Sequence, residues 1–175
     1  MWFHAQRMEL RFEPVVAADA ALLAKFLAAS DWPFHYEQSV DASWLRGRLE
    51  SGHLFGAQAR SFWIRADSQE PIGLGRIFDL SELTPLLDLR VTTEARGRGT
   101  GTLALRGLTT WLFAEYPDAG RLGGYTRHDK LAMRRVFEKC GYVQEAQHRR
   151  AWRVRGGEPV DAVGYAILRD EAEAL

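Results

Sequence analysis

The 175-residue chain has one cysteine, no net charge and no long apolar run, and each of these shortages excludes a class of protein. A single thiol forms no internal disulfide, and no His/Cys cluster has the spacing of metal ligands, so neither a disulfide scaffold nor a metal site is expected. No apolar stretch approaches the ~18 residues of a membrane span, and the N-terminus lacks an apolar signal-peptide core. We therefore expect a metal-free cytoplasmic protein that does not bind membranes and is a monomer or a homodimer.

The charges are balanced overall but unevenly distributed along the chain. Residues 1–90 carry 9 Lys/Arg and 12 Asp/Glu, whereas residues 91–175 carry 14 and 11, so the second half is basic and suits a polyanionic ligand. The basic run from His148 to Arg155 is interpreted as a strand with a solvated charged face, because the chain as a whole is neutral. We predict no nucleic-acid binding and one domain spanning residues 1–175.

The most informative segment is the glycine-rich stretch Arg96–Thr102, spelled RGRGTGT. It follows a strand-like apolar run, Leu86–Val91, and opens a helical pattern in which Leu105, Leu108 and Leu112 recur on one face. A helix N-terminus favours an anion, glycines allow close approach of the backbone, and arginines add positive charge. The order strand, glycine-rich turn and helix therefore predicts a diphosphate cradle.

Two ligand classes use such a cradle. Gly99–Ala104 fits the dinucleotide fingerprint G-x-G-x-x-G/A, which is a weak signal when it stands alone. Arg96–Gly101 also fits R/Q-x-x-G-x-G/A, the pyrophosphate loop of the GNAT superfamily of N-acetyltransferases. The loop lies mid-chain, after a predicted strand meander, and only one βαβ unit follows it, whereas a dinucleotide fold places its fingerprint early. The acetyltransferase interpretation is favoured, and a dinucleotide-dependent oxidoreductase remains the alternative.

A second motif strengthens the resemblance. The segment Thr126–Tyr142 ends in E-K-x-G-F/Y, matched by Glu138, Lys139, Gly141 and Tyr142. The chain thus resembles the GNAT superfamily, and within it the branch of ribosomal-protein N-terminal acetyltransferases and their relatives. The resemblance is strongest over residues 70–168.

The apolar patterns predict the elements of an α/β (α+β) fold. Strands are expected over Met8–Val16, Gln58–Arg65, Pro71–Leu80, Leu86–Val91, Arg121–Arg127, Tyr142–Val154 and Asp161–Leu168. Helices are expected from Asp19 to Ala29, from Asp41 to Gly52, after the phosphate loop, and through Met133–Cys140. The resemblance implies the GNAT fold, with a mixed, mostly antiparallel twisted sheet of about seven strands and about four helices.

The resemblance also implies the chemistry: direct transfer of an acetyl group from acetyl-CoA to a primary amine, either a protein N-terminus or a small amine. No nucleophilic side chain is needed, and Cys140, on the apolar face of its helix, is interpreted as a core residue. The residues implied for holding the cosubstrate are Leu89, Arg90, Val91, Arg96, Gly97, Arg98, Gly99, Thr100, Gly101, Thr102, Lys130 and Phe137. A backbone N–H near Leu89 is implied to face the thioester oxygen.

The proton-handling groups are less defined by the sequence. Asp88 lies on the strand beside the expected thioester and is the first candidate for the general base, with the alternatives Glu37, Asp79, Glu82 and His35. Where the superfamily often carries a tyrosine that protonates the departing thiolate, this chain has Phe137, and where it often has asparagine, the chain has Lys130. A CoA-binding module that lost catalysis is therefore a second alternative.

The acceptor is not defined by the sequence. The aromatic segment Trp32–Tyr36 lies where the family builds the wall on the acceptor side, and we expect its rings to pack onto the core. The acidic first half of the chain suits a cationic amine of any kind.

Overall fold

The computed structural model describes residues 8–32, 47, 49, 51–52 and 54–174. Seven strands are described: β1 Arg11–Pro14, β2 Ala59–Arg65, β3 Gly73–Phe78, β4 Leu86–Val91, β5 Arg121–Arg127, β6 Val143–Trp152 and β7 Val160–Leu168. Four α-helices accompany them in this part of the chain: α1 Ala20–Ala28, α2 Thr100–Glu115, α3 Leu131–Lys139 and α4 Arg169–Glu173. Short 3₁₀ turns occupy Ala17–Asp19 and Thr93–Ala95.

The strands form one sheet in the order β1-β2-β3-β4-β5-β7-β6. Strands β1 to β4 are a meander of antiparallel neighbours, and β5, β7 and β6 form a second antiparallel group. The two groups meet at β4 and β5, the one parallel pair among the described strands. The connection between these two strands contains α2, as a parallel crossover requires.

The two faces of the sheet carry separate hydrophobic cores. On one face α2 and α3 cover the large core, and the stripe of Leu105, Leu108 and Leu112 on α2 is fully buried there. On the other face α1 covers a smaller cluster built around Trp63 and Trp32. Alternation along the strands feeds both cores, because successive side chains point to opposite faces.

The C-terminal helix α4 was not predicted from the sequence. Its first residue, Arg169, donates hydrogen bonds to the carbonyls of Phe113, Tyr116 and Ala119, at 2.8, 2.7 and 2.9 Å from its guanidinium nitrogens. The last carbonyls of a helix have no intrahelical donors, so this side chain caps the end of α2. The cap ties the end of the chain to the helix that follows the glycine-rich loop.

The predicted fold class is confirmed, and so is the predicted order of the seven strands and of the helices now described as α1, α2 and α3. The strands predicted over Leu86–Val91 and Arg121–Arg127 have those bounds, whereas the first strand is shorter than predicted and spans Arg11–Pro14. The predicted helix from Asp41 to Gly52 lies almost entirely outside the described residues. No helix of the described residues is long and apolar enough to cross a membrane.

Candidate functional site

The site begins where strands β4 and β5 part. Only Leu86 and Leu87 of β4 pair with β5, opposite Gly123 and Gly124. The following β4 residues have no partner on β5, so the two strands diverge toward their C-terminal ends. Parallel strands that separate in this way leave a crevice at their carboxyl ends, where ligands of open α/β sheets bind.

The glycine-rich loop closes one side of this crevice. Gly97 and Gly99 have φ of +74° and +85°, in the left-handed region that side chains disfavour. The first intrahelical bond of α2 runs from the N–H of Leu103 to the carbonyl of Gly99 at 3.1 Å. The N–H groups of the first turn precede that bond and have no intrahelical acceptor. The loop therefore presents N–H donors and the positive end of a helix dipole to an anion.

A cavity of about 390 Å³ lies between this loop, the end of β4 and helix α3. Five cationic side chains line it, and no acidic side chain of the described residues does. The cations are Arg90, Arg96, Lys130, Arg135 and Lys139. A cluster of one sign of charge in a concave site raises the local concentration of an oppositely charged ligand. The cavity suits a ligand that carries several phosphates.

The side chain of Arg96 is fixed by neighbouring backbone. Its Nε donates to the carbonyl of Val91 at 3.0 Å, and its Nη2 donates to the carbonyl of Asp31 at 2.7 Å. The guanidinium also lies 5.7 Å from the ring centroid of buried Trp32. These contacts hold a positive charge at the cavity wall and link the loop to the end of β4.

Most of the residues predicted to hold the cosubstrate come together here. Those that line the large cavity are Leu89, Arg90, Val91, Arg96, Gly97, Gly99, Gly101, Thr102 and Lys130. Arg98 is exposed and does not line it, and the Thr100 hydroxyl is buried and donates to the carbonyl of Ala95 at 2.9 Å. Phe137 faces a second, smaller cavity.

Part of the basic wall of the cavity was not predicted from the sequence. Arg135 and Lys139 of α3 and Trp32 also line the large cavity. Arg135 and Lys139 are four residues apart and so share one helix face, a spacing visible in the sequence. Without knowledge of what α3 faces, such a pair is indistinguishable from a solvated charged face.

The smaller cavity, of about 30 Å³, lies between the parting strands themselves. Its lining includes Asp88, Lys130, Phe137, Tyr125 and Trp152. Asp88 is on the opposite face of β4 from the buried Leu87 and Leu89, as alternation predicted, and its side chain is 39% exposed. The Nε of Arg90 lies 3.9 Å from the Asp88 carboxylate. A carboxylate beside a cation thus stands next to the space where the strands part.

Lys130 lines both cavities and so stands at their junction. Burial lowers the pKa of its ammonium, because desolvation disfavours the charged form. The Asp88 carboxylate opposes this shift, whereas the positive charges of Arg96, Arg90 and Arg127 add to it. This lysine therefore loses its proton more readily than an exposed lysine.

Phe137 carries no hydroxyl that could exchange a proton, and its ring is packed tightly. It is 1% exposed and stacks on Tyr165 with centroids 4.8 Å apart. The Tyr165 hydroxyl accepts from Nε of Arg134 at 3.1 Å, and the Tyr142 hydroxyl lies 2.7 Å from that of Thr109. Neither Tyr165 nor Tyr142 lines the two cavities, so neither replaces the family's tyrosine.

The other candidate residues lie elsewhere. Asp79 and Glu82 are exposed in the β3–β4 loop and line neither cavity. His35 and Glu37 lie outside the described residues. Cys140 is buried, its Sγ lies 3.5 Å from the carbonyl of Thr102, and burial raises the pKa of its thiol, so it is unsuited to be a nucleophile. No group of three His, Cys, Asp or Glu side chains in the described segments could hold a metal ion.

The fold and the site together define a protein that holds a phosphate-bearing ligand between parted strands, with titratable groups at the strand junction. The family model of the acetyltransferase (GNAT) domain matches residues 9–143. The chain therefore belongs to the GNAT acetyltransferase family. It is an N-acetyltransferase with acetyl-CoA as its cosubstrate, and the oxidoreductase alternative is wrong.

Solved structures show the same fold at low sequence identity. A chimera of the spermidine N-acetyltransferase SpeG from Vibrio cholerae and hSSAT has a TM-score of 0.81 at 14% identity, covering 95% of this chain and 99% of the chimera. The V. cholerae spermidine N-acetyltransferase in complex with CoA and spermine has a TM-score of 0.78 at 13% identity, covering 94% and 98%.

A third structure, RimJ from Mycobacterium smegmatis in complex with CoA-disulfide, has a TM-score of 0.68 at 22% identity and covers 93% of this chain and 83% of that one. No curated protein matches the sequence significantly. The predicted kinship with the ribosomal-protein branch has only loose support from this likeness.

Proposed function

We propose that this enzyme transfers the acetyl group of acetyl-CoA directly to a primary amine, which is a protein N-terminus or a small amine. The observation that carries the proposal is the cavity at the parted strands, with five cationic side chains and no acidic one in its described lining. The five cationic side chains suit the phosphate-bearing end of acetyl-CoA. The space where β4 and β5 part suits its other end, which carries the thioester.

Different elements of the chain would bind different parts of acetyl-CoA. The first-turn N–H groups of α2 and the loop would hold the diphosphate, and Arg135 and Lys139 face the same cavity from α3. The edge of β4 that faces the crevice, beyond its last pairing with β5 at Leu87, would bond the pantetheine amides in the manner of an added strand. The N–H of Leu89 would then face the thioester oxygen and stabilise negative charge on it.

Asp88 is the proposed general base. It lines the small cavity between the strands, and its partial exposure allows an amine to reach it directly or through one water molecule. The Nε of Arg90, 3.9 Å away, places a positive charge beside this carboxylate. Tyr125 and Trp152 line the same space and would provide an apolar wall beside the amine.

The amine class is supported by the family and by the fold likeness. The similar V. cholerae enzyme was solved with spermine, a polyamine. At 13% identity this likeness does not extend to the individual contacts of the acceptor, so polyamines and peptide N-termini are both candidates for this chain.

The alternative raised by the sequence, a CoA-binding protein that has lost catalysis, runs against the family assignment, but one observation bears on it. The specific observation in its favour is Phe137, whose buried ring offers no proton to a departing thiolate. Such a protein would bind acetyl-CoA and CoA equally well and release no thiol with any acceptor.

Two measurements test the proposed function. In a thermal shift assay, acetyl-CoA at a hundred times its dissociation constant should add about 2.7 kcal/mol, which for a domain of this size raises Tm by roughly 5–11 °C. NADH and NADPH at the same concentration should not shift Tm. A shift with nicotinamide cofactors and none with CoA would end the proposal.

The second measurement is thiol release from acetyl-CoA with spermidine, spermine, aminoglycosides and short peptides with free N-termini. Acceptor-dependent release, with a mass gain of one acetyl group on the acceptor, supports the enzyme. Binding of acetyl-CoA without release for any acceptor in this panel supports the non-catalytic protein.

A further inference from the structure

We propose that the ammonium group of Lys130 donates the proton that the departing CoA sulfur needs, a role that Phe137 cannot fill. This assignment rests on the proposed function. Lys130 was expected from the sequence only as a cosubstrate contact, and its position at the strand junction suggests a second task.

Lys130 immediately precedes α3, as its N-cap, and lines the same cavity as the residue whose role it would take. Lys130, Met133 and Phe137 all line the small cavity. Lys130 and Met133 also line the large cavity. Lys130 is therefore shared by the cavity for the cosubstrate and the cavity between β4 and β5, where the thioester would lie.

The charges around Lys130 come from every neighbouring element. Asp88 and Arg90 face it from β4, Arg96 from the loop and Arg127 from the end of β5. Arg127 is itself paired with Asp129, whose carboxylate accepts from the Arg127 Nε at 2.9 Å.

Burial and the surrounding positive charges lower the pKa of the Lys130 ammonium, and Asp88 opposes that shift. A general acid works best when its pKa is close to the working pH, so this environment makes Lys130 a better proton donor than an exposed lysine.

The proton balance closes within this group of residues. The amine nitrogen bonds to the acetyl carbon, the C–S bond breaks, and its electron pair goes to sulfur. Sulfur takes a proton from Nζ of Lys130 and leaves as the free thiol. The acceptor nitrogen loses one proton to the Asp88 carboxylate, and that proton returns to the neutral Lys130, either directly or through water. The net products are the N-acetyl amine and CoA, with both side chains restored.

The decisive experiment needs no acceptor. The ultraviolet absorbance of the thiolate is followed against pH for CoA bound to the wild-type protein and to Lys130→Met, Lys130→Arg and Lys25→Met variants. Lys25 is an exposed surface lysine paired with Glu70 and provides the matched control for the loss of one lysine charge.

If the ammonium lies beside the sulfur, bound CoA should show at least tenfold more thiolate than free CoA at the same pH in the wild type, Lys130→Arg and Lys25→Met. In Lys130→Met that excess should be lost. Equal titration of the bound thiol in the wild type and Lys130→Met would overturn the proposal while CoA binding, and with it the proposed function, stands. A folded wild-type protein that binds no CoA would instead overturn the proposed function itself.

Turnover then separates proton donation from charge alone. With an acceptor found in the amine panel, both Lys130→Met and Lys130→Arg should lower kcat by about 10²–10⁴-fold, because arginine keeps the charge but does not release a proton. Lys25→Met should turn over like the wild type. Wild-type kcat in Lys130→Arg would mean that the charge suffices and would overturn proton donation. A rise in KM with unchanged kcat in these variants would mean that Lys130 only contributes to binding. A wild-type protein that acetylates no acceptor in the panel would overturn both the role of Lys130 and the proposed catalytic function.

Discussion

Gly124 lies at the last paired position before the strands part, and replacing it with alanine is expected to destabilise the protein. A Cβ atom built there would lie 2.8 Å from Cζ and 3.1 Å from Cε1 of Phe137, and 3.4 Å from Cγ of Leu87. Optimal contacts between carbon atoms are about 3.5–4.0 Å, so the Phe137 ring would have to retreat by roughly 0.7 Å or more. The ring stacks on Tyr165 and is 1% exposed, and the space beside it is the small cavity of about 30 Å³ that it lines.

Two opposing effects set the magnitude of this change. Overpacking a core costs about 1–3 kcal/mol, whereas alanine in a strand gains about 0.5–1 kcal/mol over glycine. The cost of overpacking is at least as large as the gain, and the net loss of up to about 2.5 kcal/mol corresponds to a fall in Tm of up to about 10 °C for a domain of this size. Because the displaced ring lines the small cavity, the substitution should also narrow the space beside Asp88.

The assay is thermal or urea denaturation with two further variants. Gly120→Ala is the matched control, because a Cβ there meets nothing within 4 Å. It should leave stability unchanged or raise it by up to about 1 kcal/mol. Phe137→Leu in the Gly124→Ala background should recover part of the loss and give a coupling energy of about 0.5–3 kcal/mol in a double-mutant cycle. A Gly124→Ala protein as stable as Gly120→Ala would refute the close approach of Phe137 to β5.

Three other changes probe the site itself. Gly101→Val places a branched side chain in the phosphate cradle, and its Cβ would meet only Val136, at 3.4 Å, within the protein. The substitution should weaken CoA binding at least tenfold, or by about 1.4 kcal/mol. Unchanged affinity by calorimetry in a folded variant would mean that the phosphates bind elsewhere. Asp88→Asn should keep the affinity for acetyl-CoA but lower kcat by about 10²–10⁴-fold. Its kcat should recover as pH rises, because the acceptor is then present as the free amine. A pH–rate profile like that of the wild type would remove Asp88 from the mechanism. Lys130→Met should unfold at a higher temperature than the wild type near neutral pH, because a lowered lysine pKa destabilises the folded state. That destabilisation is complete below the folded-state pKa and disappears as pH rises to the unfolded value of 10.5. The Tm values of the wild type and Lys130→Met should therefore become equal as the pH approaches 10.5. A difference in Tm that does not depend on pH would contradict this effect.

The sequence was sufficient to predict local elements because their signals are local. Periodicity marked the stripe of α2, and the stretches now seen as β4 and β5 stand out as short apolar runs with polar flanks. Strand order is different, since the insertion of β7 between β5 and β6 depends on contacts between residues far apart in the chain. Here only the family resemblance supplied a sheet topology. The helix α4 has only five residues and is fixed by the contacts of Arg169, so no periodic pattern could reveal it.

Some residues of the site could likewise be predicted from local sequence, whereas others depend on the assembled fold. The loop from Arg96 to Thr102 was predictable, because a strand, glycines and a helix start determine where the backbone donors point. Arg135 and Lys139 were not predicted as site residues, because they line the cavity only as a result of α3 facing the loop across the crevice. The lowered pKa of Lys130 is likewise a property of the assembled site, because burial and three neighbouring arginines produce it against the opposing effect of Asp88.

The parting of β4 and β5 connects the stability of this fold with its chemistry. A parallel pair that continued along β4 and β5 would fill the crevice, and it would leave no edge of β4 for a ligand to bond. The protein instead leaves that edge open and places a lysine of lowered pKa and an aspartate beside it. A buried ammonium costs stability unless something compensates it, and an anionic ligand in the basic cavity would supply that compensation. Ligand binding should therefore raise the proton affinity of Lys130, and departure of the ligand should lower it again. Occupancy of the site would thus keep Lys130 in its protonated form, so that the proton needed by the departing sulfur is in place while the cosubstrate is bound.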